Sequence, residues 1–237
     1  MEKTTIGHGK PVIGIVACLH GNERIGCDIV EYLKDVRFKK GTLDLIIANE
    51  EAMQQNKRYI DADLNRCFPG NLNGDYEEKL AAQLTKELAG CDHVIDIHST
   101  TAETDDFIVI TKEHAKRLAG YMPLSKVVFM EPAVAKGKAL IDHAGCGISI
   151  EFDRRTEARY AFGKVSACLI NLGVLDGGAE KTNQQYYSVY GVMKKRDIKL
   201  VNFKETTIDS ETFYPVLYGE EAYKDLLCLK ARSTGWR

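Results

Sequence analysis

The stretch ACLHGNERIG, residues 17–26, sets His20 three residues before Glu23 where a hydrophobic run gives way to a helical pattern. His98 holds the same kind of place at the end of a second apolar run, HVIDI at 93–97. Two imidazoles and one carboxylate that leave a fourth position open make the donor set of a catalytic zinc ion. An H-x-x-E pair spans a strand end and the opening helical turn, so both side chains can turn toward one point while Gly21 allows a tight bend. Taken alone, such a pair more often marks a helix-entry residue and a first-turn carboxylate that favours the helix dipole. A third ligand at another strand end strengthens the metal reading, and three further segments strengthen it more.

RYIDADLNRCFPG, residues 58–70, puts Arg58, Asn65 and Arg66 in one loop rich in turn residues. Arginine offers a planar fork suited to a carboxylate, and asparagine adds a neighbouring donor. In GISIEFD, residues 147–153, Glu151 closes an apolar strand. A carboxyl at a buried edge has a raised pKa and can shuttle a proton. FYPVLYGEEAYKD, residues 213–225, brings tyrosine hydroxyls toward a substrate from the end of the chain. Each has a plainer reading: Arg58 and Arg66 as surface cations, Glu151 paired with Arg154 or Arg155. Asp96, two residues before His98 on the same strand face, either orients that ligand or caps a turn. His8, His93, His114 and His143 read as structural or exposed; alternation turns His93 away from the His98 face.

The elements that must hold these residues follow from hydrophobic periodicity. PVIGIVACL (11–19) and LDLIIAN (43–49) read as buried strands flanking a helix over 22–36, whose stripe is Ile25, Ile29, Tyr32, Leu33 and Val36. That order predicts a right-handed parallel crossover. Residues 54–74 read as a long loop, and Asp75 caps a helix over 76–90 that stops at Gly90. Strands are predicted at 93–99, 106–111, 126–130 and 147–153, and helices at 113–122 and 156–175. The alternation predicts an α/β sheet covered by helices on both faces, with sites just beyond the carboxyl ends of strands. From about Tyr186 the texture changes to short β-rich runs, YYSVYGV, IKLVNF, FYPVLY and LLCLKA. A catalytic domain over 1–178 and a C-terminal β-rich subdomain over 179–237, covering the cleft, are expected.

A chain of 237 residues accommodates one sizeable core. Its 32 basic and 34 acidic residues balance to −2, without the cationic footprint of a nucleic-acid binder. No apolar stretch approaches the roughly 20 residues that span a bilayer, and MEKTTIGHGK lacks the apolar run of a secretion signal, so a cytoplasmic location is expected. The seven cysteines show no C-x-x-C pair and read as small unpaired hydrophobes. There is no internal repeat.

In this order, HGNE at 20–23, RYIDADLNR at 58–66, DIHST at 96–100, SIEF at 149–152 and YPVLYGEEAY at 214–223 resemble the aspartoacylase and succinylglutamate desuccinylase family, whose core is similar to that of zinc carboxypeptidases. The last segment leans toward the aspartoacylase branch. The resemblance implies a mixed, mostly parallel sheet flanked by helices, with a small C-terminal β subdomain. It also implies one zinc ion per chain on His20, Glu23 and His98, and hydrolysis of the amide of a small N-acyl amino acid. By the same resemblance Arg58 polarises the scissile carbonyl, Asn65 and Arg66 hold the α-carboxylate, Glu151 is the general base, and Tyr223 reaches into the substrate pocket. Tyr223 can equally pack the β subdomain.

One position departs. The aspartoacylase branch carries an arginine ten residues before the base, gripping the aspartate side chain; here Ile141 stands there. Lys136, Lys138 and His143 are candidates to replace it, but lysine does not reproduce a bidentate clamp. The chain is also shorter than expected for that branch. Two other functions stay open: a zinc carboxypeptidase acting on peptides, and a non-catalytic zinc-binding regulatory protein. The expected partner is a small molecule, without nucleic acid or membrane, and a homo-oligomer stays possible.

Overall fold

Eleven strands form one mixed sheet, described over residues 1–131 and 136–235 in a computed structural model of the chain. In chain order the strands are β1 (Glu2–His8), β2 (Val12–Ala17), β3 (Gly41–Ile47), β4 (His93–Thr100), β5 (Phe107–Ile110), β6 (Lys126–Met130), β7 (Gly147–Asp153), β8 (Gln185–Lys194), β9 (Thr206–Ile208), β10 (Glu211–Val216) and β11 (Leu226–Thr234). The helices are α1 (Ile25–Lys34), α2 (Glu50–Gln54), α3 (Tyr76–Leu88), α4 (Lys116–Ala119), α5 (Leu140–His143) and α6 (Ala158–Asn171). Across the sheet the order is β1-β3-β2-β4-β7-β5-β6-β8-β11-β10-β9. Strands β3, β2, β4 and β7 run parallel, as do β5, β6 and β8, while β5 lies antiparallel to β7.

Side-chain alternation divides the core into two layers. Ile15, Ile97 and Ile150 face Ile29 and Leu33 of α1, Leu118 of α4 and Val165 and Leu169 of α6. On the other face, Val16, Ile46 and Val94 meet Leu80 and Leu84 of α3, Leu140 of α5 and Phe68. Buried on both faces, these strands read as continuous apolar runs. The start of α3 is fixed by a reciprocal cap: the Glu78 amide donates to the Asp75 carboxylate, and the Asp75 amide donates to the Glu78 carboxylate.

The chain leaves β2 in one direction to form β3 and returns on the other side to form β4, so the sheet switches direction between β2 and β4. The carboxyl ends of β2, β4 and β7 therefore open side by side at the kind of crevice where α/β sheets hold their ligands. At the other end β8 joins β6 in parallel and pairs antiparallel with β11, and β11, β10 and β9 form an antiparallel meander.

Some expectations need correction. IKLVNF, residues 198–203, forms no strand; it is a loop held by the Asn202 side chain, which donates to the carbonyls of Glu103 and Tyr218. The segment 113–122 is a 3-10 turn over Glu113–Ala115 followed by the single turn α4. Strand β1, unread in the sequence because its burial is shallow, pairs antiparallel with β3. The cysteines are not all unpaired: Cys18 and Cys27 form a disulfide from the end of β2 to α1, with Cα atoms 6.7 Å apart. Among the described residues no helix is long and apolar enough to cross a membrane.

Candidate metal centre and active site

His20 follows β2, Glu23 stands just before α1, and His98 lies in the last turn of pleat of β4. The bend between the first two depends on Gly21, though for closeness of approach and not for a left-handed φ. A Cβ there would lie 2.2 Å from both the Ala52 carbonyl carbon and the Met53 nitrogen of α2. The Gly21 amide donates to the Arg58 carbonyl at 3.1 Å, which ties this turn to the loop that carries Arg58. Just ahead of it, fully buried Cys18 holds a left-handed φ of 55°.

The Glu23 carboxylate is the hub. One oxygen accepts from His20 Nδ1 at 2.7 Å and from Arg58 Nη1 at 3.2 Å. The other accepts from His98 Nδ1 at 2.9 Å and from the Ser99 amide at 3.2 Å. Each imidazole is anchored on its far side by an aspartate: His20 Nε2 donates to Asp63 at 3.0 Å, and His98 Nε2 donates to Asp96 at 2.8 Å. Ser149 Oγ also donates to Asp96 at 3.1 Å, which fixes that carboxylate beneath the site.

These contacts set the charges. Burial works against protonated imidazoles, but Glu23 and Asp63 raise the pKa of His20, and Asp96 and Glu23 raise that of His98 well above 6.5. Burial would likewise raise the Glu23 and Asp63 carboxyls, yet the neighbouring imidazoles, joined at Asp63 by Arg58, hold both well below the usual range. The cluster thus favours protonated rings around an anionic hub.

A divalent ion of zinc's preferences fits this donor set. The ligand atoms of His20, Glu23 and His98 all lie within 4.8 Å of one another, and all three residues are buried. Both rings turn the same nitrogen, Nδ1, to Glu23, while an aspartate holds the opposite nitrogen, an arrangement that fixes the orientation of metal-binding histidines and strengthens them as ligands. The nitrogen and oxygen donors also suit other divalent first-row ions.

All eight residues singled out in the sequence line one cleft of about 60 Å³: His20, Glu23 and His98 with Arg58, Asn65, Arg66, Glu151 and Tyr223. Glu151 sits directly across from His98 in the β4–β7 register. Burial pushes its carboxyl up to about 7, opposed in part by His98 and aided by the negative Glu23. Arg155, offered in the sequence as a partner for Glu151, pairs instead with Asp153 and Glu103. Arg58 also binds Asp63 through Nε and Nη2, at 3.3 and 3.2 Å. Asn65 accepts the Leu140 amide at 2.9 Å, and Arg66 donates to the Asn65 carbonyl at 2.7 Å. Burial raises the Tyr223 hydroxyl to about 12, so it stays a neutral donor.

Three participants were not singled out in the sequence, although Asp63 and Glu220 lie within the segments 58–66 and 214–223. Asp63 supports both His20 and Arg58. Glu77, fully buried on α3, accepts the amides of Ile60, Asp61 and Ala62 at 2.7, 2.9 and 3.1 Å and Asn49 Nδ2 at 3.0 Å, and so pins the loop that presents Arg58 to Arg66. Glu220 lines the cleft and accepts Thr100 Oγ1 at 2.6 Å and the Thr101 amide at 2.9 Å, which fastens the β10–β11 loop over the end of β4. The proposed substitutes for the missing arginine do not reach the cleft: Lys136, Lys138 and His143 are exposed, and His143 donates to the Gly137 carbonyl. A larger hollow of about 540 Å³ around Asp106, Lys126 and Arg155 holds none of the eight residues, and its cations Lys126, Arg155 and Lys164 are already paired.

The model of the succinylglutamate desuccinylase/aspartoacylase catalytic domain matches residues 10–141. A probable aspartoacylase of Acaryochloris marina is 35% identical over 130 residues, 48% of this chain and 44% of that protein. An N-acyl-aromatic-L-amino acid amidohydrolase (carboxylate-forming) of Xenopus laevis is 32% identical over 145 residues, 54% of this chain and 47% of that protein. The chain spans about half the length of the curated relatives it matches. Murine aminoacylase 3 superposes with a TM-score of 0.72 at 20% identity, covering 96% of this chain and 97% of that one. A succinylglutamate desuccinylase/aspartoacylase from Rhodobacter sphaeroides does so with a TM-score of 0.78 at 17% identity, covering 99% of this chain and 89% of that one. At such identities these structures establish the likeness of fold.

Proposed function

The chain belongs to the succinylglutamate desuccinylase/aspartoacylase family, and from that premise we propose that it is a zinc-dependent hydrolase of the amide bond in a small N-acyl amino acid. The observation that carries the reading is the cleft in which a His–Glu–His donor set faces both a half-buried carboxyl, Glu151, and two arginines, Arg58 and Arg66. Relatives described as aspartoacylases and as an N-acyl-aromatic amino acid amidohydrolase support the same reaction class.

His20, Glu23 and His98 would hold the ion, which when bound supplies Lewis acidity to the scissile carbonyl and acidifies the attacking water. Asn65 and Arg66 hold the α-carboxylate, Arg66 with the planar fork that such a group requires. Arg58, kept cationic and oriented by Asp63 and Glu23, donates to the carbonyl oxygen as negative charge develops there; one such donor is typically worth about 3–4 kcal/mol. Glu151 takes the water's proton and passes it to the departing amine. A carboxyl whose pKa lies near neutrality can do both, because neither protonation state is far out of reach.

The C-terminal unit, residues 179–237, acts as a cover. Its β10–β11 loop places Leu217, Glu220, Ala222 and Tyr223 on the cleft, and Glu220 fastens it to β4. A cleft covered in this way suits a small acyl amino acid better than a peptide.

Metal analysis followed by a panel of acetyl, succinyl and longer acyl amino acids tests the reading. One zinc per chain and release of free amino acid are expected. Release of C-terminal residues from peptides without hydrolysis of any N-acyl amino acid would overturn it in favour of a carboxypeptidase. A zinc-loaded protein silent across the whole panel would mark a binding protein.

A further inference from the structure

Cys18 and Cys27, joined as a disulfide, stand on either side of His20 and Glu23, so one covalent ring of chain encloses two of the three residues of the donor set. His98 lies outside it, on β4. Gly26 makes the pairing possible: a Cβ there would stand 2.8 Å from the Cβ of Ala17, so α1 comes this close to the end of β2 only without one. The Cα atoms of the pair are then 6.7 Å apart, inside the roughly 4.4–6.8 Å that a disulfide spans. The start of α1 has no side-chain cap, and the Arg24 guanidinium instead reaches away to donate to the Met53 carbonyl at 2.9 Å. Cys18 keeps a left-handed φ of 55°, a conformation that a residue with a Cβ holds only where its surroundings impose it. The bridge is one such restraint.

We propose that the Cys18–Cys27 pair is a redox site that tunes the metal centre: oxidised, it holds the H-x-x-E turn in its ligating form; reduced by a dithiol, it frees the turn and weakens metal binding. The inference rests on reading His20, Glu23 and His98 as metal ligands. Cys18 is fully buried while Cys27 is half-buried, so an attacking thiolate of the reductant meets the Cys27 sulfur first. A bond forms between that thiolate and Cys27 Sγ as the Cys18–Cys27 bond breaks, and the electron pair stays on Cys18 Sγ, which takes a proton. The second thiol of the reductant then attacks the mixed disulfide, which frees Cys27 as a thiol and leaves the reductant as a cyclic disulfide. Two electrons and two protons have passed to the pair. Cys18 Sγ lies 3.5 Å from the Glu23 carbonyl, to which a thiol can donate, and Cys27 Sγ lies 3.4 Å from Met53 Sδ on α2. Reduction therefore replaces a covalent restraint by a weak hydrogen bond on the backbone of a ligand residue, without rearranging the core.

The test takes the zinc-loaded full chain after treatment with diamide or with dithiothreitol, each reagent removed in the absence of air, and measures zinc affinity by competition with a chromogenic chelator. Thiol titration of the unfolded chain should count five thiols in the oxidised form and seven in the reduced one. Zinc should bind roughly tenfold more weakly to the reduced form. Cys27→Ser, at a half-buried position, should match the reduced wild type after either treatment. In metal-free protein the Gly21 amide, which donates to the Arg58 carbonyl, should exchange with solvent at least roughly tenfold faster once the pair is reduced. Seven thiols after oxidation, equal zinc affinity in the two forms, or a redox response that persists in Cys27→Ser overturns the switch. Absence of zinc binding in both forms removes the metal reading instead; Gly21 exchange that still quickens on reduction then upholds the pair as a control on the turn, and exchange indifferent to reduction removes it as well.

Discussion

His98 and Glu151 are register partners across the parallel strands β4 and β7, so the backbone itself sets the imidazole of one beside the carboxyl of the other. Burial lifts that carboxyl to about 7 from an ordinary 4.5, and a bound divalent cation draws it back down. The base form is needed for attack, so kcat/KM falls as pH drops through the carboxyl's value, with an acid limb between 4.5 and about 7. Glu151→Gln should retain its metal and lose activity by about 10²–10⁴-fold. Wild-type-like turnover in that variant removes Glu151 from the mechanism.

Metal uptake should release protons. The raised values of His20 and His98 favour the charged form of both rings, and an imidazole that ligates a metal must give up its proton. Apparent zinc affinity therefore weakens as pH falls. Calorimetry in buffers of different ionisation enthalpy reads the number released near neutral pH, and a value of zero contradicts the charge assignment.

Asp96 should matter to the metal without touching it. Its carboxylate, 0% exposed, holds His98 Nε2 and is itself held by Ser149. Asp96→Asn keeps the shape and removes the charge, and zinc affinity should fall by about 10–100-fold. Unchanged affinity by competition with a chromogenic chelator would reduce Asp96 to a packing role.

His20, His98 and Glu151 were legible because strand ends show in the sequence where apolar runs stop, and Arg58 and Arg66 because they share one turn-rich loop. The supports were not. Glu77 sits in YEEKLAAQLTKELAG like any solvated glutamate of an amphipathic helix, yet it is fully buried because the loop at 60–62 folds its amides onto it. IKLVNF carried the alternation of a strand, but the side chain of Asn202 satisfies neighbouring carbonyls in place of a ladder. Strand β5 looked like its parallel neighbours; its reversed direction against β7 is set by the path of the chain, which no local pattern reports. Local residue type thus announced the reacting groups, and long-range contact decided what holds them.

Glu77 makes a stability prediction whose sign is fixed. Burial would raise its carboxyl, but the Ile60 amide, Asn49 and the amides of Asp61 and Ala62 lower it. A depressed folded value contributes stability that is fully present above the unfolded value near 4.5 and is lost as pH falls through the folded one. Glu77→Gln should cost on the order of 3 kcal/mol near neutral pH. The gap between wild type and variant, read from denaturant midpoints, should close as pH falls below 4.5; a gap that widens on acidification refutes the assignment.

Gly21 makes the last prediction, because space and not backbone conformation requires it. The methyl group of Gly21→Ala would fall 2.2 Å from the backbone of α2 at Ala52 and Met53, where no side chain can swing aside. Relief must come from the turn itself, which carries His20 and Glu23 and donates the Gly21 amide to the Arg58 carbonyl. Zinc affinity should drop at least roughly tenfold, since coordination tolerates only about 0.2 Å of ligand displacement. Gly163→Ala on α6, whose added methyl group meets nothing within 4 Å, provides the contrast. There the substitution should leave zinc binding intact and stabilise the helix by about 0.5–1 kcal/mol. Equal metal affinity in the two variants would show that the H-x-x-E turn does not depend on close contact with α2.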